Sequence, residues 1–136
     1  MRNRCPSVLP ILLVVVAGPL AACKKPAEPR PLSVSVAVQS GAAEQFRREG
    51  YKFQGATVID LMKSLQKSGQ LAYEAEEHAG QGAFITSIGG VAHGGGAFWQ
   101  MCINGQRADR GVSQLEMQNG DSLLWILSSQ QNPCEK

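Results

Sequence analysis

A small α+β domain, with one mixed sheet packed on a single α-helix, is the fold class this sequence predicts, and three stretches carry the expectation. Leu32 to Val38 alternates: Leu32, Val34, Val36 and Val38 fall on one side, Ser33, Ser35 and Ala37 on the other, which is the period of a half-buried strand. Val58, Leu61, Met62 and Leu65 recur at the spacing of one helical face, and such a stripe needs a sheet to cover. Leu123, Leu124, Trp125, Ile126 and Leu127 are apolar in succession. Both faces of that strand require cover, which places it in the middle of the sheet.

The first residues read as a targeting signal and are set aside before the fold is considered. Arg2 and Arg4 make a basic start, Val8 to Leu20 is an apolar run broken only by Pro10, Gly18 and Pro19, and Leu20-Ala21-Ala22-Cys23 follows. That order describes an export signal over residues 1–22, and the apolar run is short for a membrane span. Leu-Ala-Ala-Cys in this position resembles a bacterial lipobox. The resemblance implies cleavage before Cys23 and fatty acylation of that residue, several acyl chains being more than stable anchoring needs. By resemblance to enterobacterial sorting signals, Lys24 after the cysteine favours the outer membrane over retention in the inner one, so the expected location is the cell envelope, on the periplasmic side or the surface.

Removing residues 1–22 takes away Arg2 and Arg4 and leaves basic and acidic residues equal in number; from Leu32 onward there are 8 Lys and Arg against 10 Asp and Glu. No basic field exists to hold phosphates, which argues against a nucleic-acid partner. The remaining length suits one small domain. Cys5 is discarded with the signal and Cys23 is lipidated, leaving Cys102 and Cys134 in an oxidising compartment,. A disulfide between them and a buried thiol beside a free tail cysteine both stand as alternatives, since spacing does not fix distance.

Residues 23–31 carry three prolines and no large apolar residue from Lys24 to Pro31, an extended spacer of roughly 25 Å at about 3 Å per residue. The domain follows at residues 32–128. After the first strand, Gln39 to Gln45 contains Gly41 and is expected to turn the chain into a second strand around Glu49 to Gln54. Thr57 with Asp60 three residues on matches a capping box at the head of the helix, and Gly69 lies past its end,. Leu71 to Ala75 suggests a short strand, with Glu76-Glu77-His78 as an acidic corner; a solvated turn is the simpler account of that trio than a metal site.

Gly82 to Gly105 is the most distinctive stretch. Strand-like runs Phe84 to Ile88 and Phe98 to Ile103 flank a loop with Gly89, Gly90, Gly94, Gly95, Gly96 and His93, and the second run ends in Asn104-Gly105, the strongest short hairpin signal. Along Phe98 to Ile103, Trp99, Met101 and Ile103 share one face, and Phe98, Gln100 and Cys102 the other. Asn119-Gly120 turns the chain into the last strand, and residues 129–136 form a polar tail that only Cys134 could pin.

Two strands, one helix and further strands ending in a central one is the order of a β-grasp (ubiquitin-like) fold. Thr57-Val58-Ile59-Asp60-Leu61, Gly82 to Ile88 with Gly89-Gly90, Phe98-Trp99 with Asn104-Gly105, then Gly111 and Asn119-Gly120-Asp121 with Trp125 together resemble the transcobalamin C-terminal-like family, over about residues 32–128. This family supplies the smaller, β-rich domain of cobalamin carriers and occurs alone in bacterial surface proteins. The resemblance implies ligand contact through the glycine-bearing loop and the strand after it, here His93, Phe98, Trp99 and Gln100, with cobalamin as a ligand and no cofactor or metal. The helical barrel that completes the enclosure in those carriers has no counterpart in these residues.

Three functions follow as expectations: a lipid-anchored, non-enzymatic envelope module binding a soluble ligand, a glycan or a protein; a structural subunit of a larger envelope assembly; and an enzyme with Cys102 as nucleophile and His93 as base. The third lacks an identifiable activating group. Gly94-Gly95-Gly96 is no phosphate cradle either, having neither the following helix nor the Lys-Ser/Thr that such loops use,.

Overall fold

The computed structural model describes residues 30–135; the signal at 1–22, Cys23 and most of the linker lie outside the described residues. Strand β1 (Leu32–Ser40) turns at Gly41 into the antiparallel β2 (Ala43–Phe53) and lies parallel to β8 (Ser122–Ser128). On its other side β8 pairs antiparallel with β6 (Phe98–Ile103), which carries the short β7 (Gln106–Arg107). The five-stranded order is β2-β1-β8-β6-β7, with β8 in the centre. One helix, α1 (Val58–Lys67), follows the first hairpin.

The expectation of one sheet is corrected. Strands β3 (Tyr73–His78), β4 (Gly82–Ile88) and β5 (Val91–Ala92) form a separate three-stranded sheet. The reason lies in the backbone of β4, which pairs with β3 along one edge and with β5 along the other. The carbonyl of Ala83 is also taken, by the N–H of Val112 at 2.7 Å. Little of β4 is left to pair with β6.

Two polar stretches read as turns are largely strand. Of Gln39 to Gln45, Gln39 and Ser40 belong to β1 and residues 43–45 to β2, and Glu76-Glu77-His78 belongs to β3, opposite Phe84, Ala83 and Gly82. Strands β2 and β3 run along the outer side of their sheets, where exposed side chains impose no apolar alternation,.

Helix α1 starts where the capping box places it. The Asp60 carboxylate accepts from the N–H of Ala56 and Thr57, both at 3.0 Å, and from the Thr57 hydroxyl at 2.9 Å. These backbone donors hold its pKa below the ordinary carboxylate value,. The folded pKa is therefore the lower one, and the stabilisation is complete above the unfolded pKa and lost as pH falls through the folded value. Asp60→Asn is expected to lower stability by about 1 kcal/mol at pH near 7. The difference from the parent should shrink as pH falls through the lowered folded pKa of Asp60 and its carboxylate is protonated,; urea unfolding at neutral and at acid pH measures it.

Val58, Leu61, Met62 and Leu65 are fully buried and share one core with Val34, Val36 and Val38 of β1, Leu123 and Trp125 of β8, and Trp99 and Met101 of β6. Among the described residues, every buried member of this core lies between residues 34 and 125. The opposite face of the sheet is covered by the tail. Cys134 is disulfide-bonded to Cys102, with Cα atoms 5.8 Å apart, and Pro133 and Cys134 lie beside Ala37, Leu124 and Ile126. Thus β8 has cover on both faces, as its unbroken apolar run requires.

Candidate functional site

The glycines between β4 and β6 make two tight turns rather than one open loop. Gly89 and Gly90, at φ of 59° and 80°, close β4 onto β5, the positive-φ pair that a type I′ turn demands. The ladder continues as the N–H of His93 donates to the carbonyl of Thr86 at 2.9 Å. Gly94 and Ala97 then exchange two hydrogen bonds of 3.0 Å around Gly95 and Gly96. The chain enters β6 with Trp99 turned inward and Phe98 outward.

Trp99 is 7% exposed and its indole N–H donates to the carbonyl of Val91 at 2.8 Å, which ties β6 to β5. Phe98 is 58% exposed. The His93 ring meets it edge-on with centroids 5.9 Å apart, and His78 stands in the same relation to Phe84 at 5.3 Å. Phe84 and Phe98 are the exposed large hydrophobic residues among those described. They flank the gap between the two sheets.

Two adjoining cavities of about 370 and 340 Å³ occupy this gap, sharing Phe84, Ile85, Phe98 and Trp99 as walls. The outer one is rimmed by Glu76, His78, Gln81, Thr86 and His93. The inner one reaches Met101, Val112 and Trp125, with Arg107, Arg110 and tail residues Ser129, Gln130 and Gln131 at its border. The segment carrying Arg110 and Val112 lies close to the second sheet because residue 111 is glycine. A Cβ there would stand 2.6 and 2.7 Å from the carbonyl oxygens of Gln81 and Ala83.

Gln100 serves the tail first. Its side-chain amide donates to the carbonyls of Ser128 and Gln130, at 3.1 and 2.7 Å. Two carbonyl partners fix which end of the amide is nitrogen, and its Oε1 is then buried without a partner. The indole N–H of Trp125, in a side chain 2% exposed, is likewise buried and unpartnered. Each orphaned group costs about 1–3 kcal/mol. Both belong to residues that line the inner cavity.

Of the residues expected to form a site, His93, Phe98 and Trp99 meet at the outer cavity and Phe98, Trp99 and Gln100 at the inner one. Cys102 is 1% exposed with its sulfur in the disulfide, so it offers no free thiolate to His93. No group of three or more His, Cys, Asp or Glu is placed to hold a metal ion among the described residues. Sequence reasoning missed Phe84, Arg107, Arg110 and the orphaned N–H of Trp125. The first had a signal, its parity along Phe84 to Ile88 opposite the buried Ile85; the others had none.

Comparison with known proteins follows this geometry. A protein from Ruminococcus gnavus ATCC 29149, described only as a candidate metal binding protein, has a similar crystal structure, with a TM-score of 0.55, 18% identity, and coverage of 71% of this chain and 96% of that one. Haptocorrin, crystallised in complex with Cbi, is similar at a TM-score of 0.60 and 19% identity, over 80% of this chain but 28% of haptocorrin. No curated protein matches the chain. The model of the family described as Domain of unknown function (DUF4430) matches residues 55–129, from the turn before α1 to the start of the tail. Since that match spans more than half of the sequence, the chain belongs to the DUF4430 family.

Proposed function

We propose that this chain is a lipid-anchored, non-enzymatic binding module of a bacterial envelope, holding a small ligand in the gap between its two sheets. The observation that carries the reading is the inner cavity, apolar on most sides yet bordered by Arg107, Arg110 and the polar tail residues Ser129, Gln130 and Gln131. An apolar cleft of a few hundred Å³ with a few convergent polar groups is the usual form of a small-molecule site. The fold likeness to haptocorrin supports a ligand of the cobalamin type as one candidate. The order β2-β1-β8-β6-β7, with β1 and β8 parallel at the centre and one helix, supports a β-grasp of the transcobalamin C-terminal-like kind. Anchoring rests on the lipobox resemblance at Cys23, and envelope location follows from it.

The test uses a soluble form starting at Lys24, which retains the whole core. Both tryptophans of the protein line the inner cavity, so their fluorescence reports on its occupancy. Cyanocobalamin and the neutral fluorophore N-phenylnaphthylamine are titrated separately. At least one is expected to quench the tryptophans saturably at one site per chain, with affinity about ten-fold lower in Phe98→Ala, which deletes the exposed wall,. Linear, unsaturable quenching by both would count against the module reading. A second reading, an assembly subunit, is favoured by the exposure of Phe98; it requires a single stoichiometric cross-link from that position in intact cells.

A further inference from the structure

We infer that the inner cavity is selective for a small, flat, apolar anion, whose charge is met by Arg107 and Arg110. The inference rests on the binding-module reading and adds the chemical class of the ligand.

The ion pairs among the described residues join Arg47 to Glu44 and Glu49 on β2. Arg107 and Arg110 take part in none, although Asp109 lies between them in sequence and the domain from Leu32 onward carries more acidic than basic residues. Arg107 and Arg110, both outside the ion pairs of the described residues, lie on the border of one cavity. Its apolar walls include Ile85, Met101, Val112 and the aromatic residues Phe84, Phe98 and Trp99. Such walls fit a planar hydrocarbon body. An arginine fork provides planar, bidentate donors matched to a carboxylate, sulfonate or phosphate.

A ligand with an aromatic body and an anionic group meets both the walls and the bordering arginines, whereas a neutral hydrocarbon of the same shape meets only the walls,.

Anilinonaphthalene sulfonate and N-phenylnaphthylamine share one skeleton and differ in the sulfonate, so they isolate the charge. Each is titrated into the soluble form starting at Lys24, with energy transfer from the two tryptophans as the readout. The sulfonate is expected to bind at one site per chain, about ten-fold tighter than the neutral compound, as charge-assisted hydrogen bonds allow. In the double variant Arg107→Gln and Arg110→Gln, both exposed positions, the difference should fall below about three-fold, with the melting temperature unchanged. Equal affinities in the parent, or a difference that survives in the double variant, would overturn anion selectivity and leave the binding module standing. Failure of both compounds to bind would overturn this inference, and the module reading would then stand or fall on the cyanocobalamin titration.

Discussion

Leu61→Ala is expected to remove about 2–5 kcal/mol of unfolding free energy, the range for emptying a fully buried leucine site. Leu61 is 0% exposed on the inward face of α1, between the helix and the strands that carry Val36, Leu123 and Trp125. α1 is the lone helix described, so no second helix can shift to close the void. For a domain of this size each kcal/mol lowers the melting temperature by about 4–8 °C, so the variant should melt at least about 10 °C below the parent. Urea unfolding checks it, with an unchanged m-value showing that both unfold from equally compact states. A loss smaller than about 1 kcal/mol would mean that the helix does not seal this core.

Opening the disulfide is expected to cost nearly as much. Cys102 and Cys134 are 32 residues apart, and cross-linking a loop of that length stabilises by about 3–4 kcal/mol in the chain-entropy account. Cys134→Ser should lower the melting temperature by about 10–25 °C and leave a protein insensitive to reductant, whereas the parent should lose a similar amount when reduced. The effect should also reach the cavity. Ser129, Gln130 and Gln131 border it, on a segment held by the Gln100 amide at Ser128 and Gln130 and by the disulfide at Cys134. Ligand affinity should therefore fall on reduction. A parent that melts within about 2 °C with and without reductant would show that the Gln100 amide alone holds the tail.

Where local chemistry decides structure, the elements could be read from the residues in order. Thr57 and Asp60 mark the head of α1 because their side chains bond backbone groups within the same turn,. Asn104-Gly105 marks its hairpin because both residues adopt positive φ,. Leu123 to Leu127 announced a central strand because a continuous apolar run tolerates water on neither face,. The outer strands β2 and β3 were blurred for the converse reason. Exposed positions such as Arg47, Arg48, Glu76 and Glu77 carry no burial requirement, so their polarity resembled that of turns.

The residues by themselves determined one amphipathic helix, the strands that cover it, and the turn that aims Trp99 inward and Phe98 outward, all set by contacts a few positions apart or by strand parity. Tertiary structure alone decided that β4 pairs with β5 instead of joining the larger sheet, that Cys134 reaches Cys102, and that Arg107, Arg110, Trp125 and Gln100 border one cavity. Apart from the β4–β5 hairpin, these are meetings of segments far apart in the chain. Competition for backbone partners and the packing of one sheet against the next govern them, and neither leaves a periodic trace in the sequence.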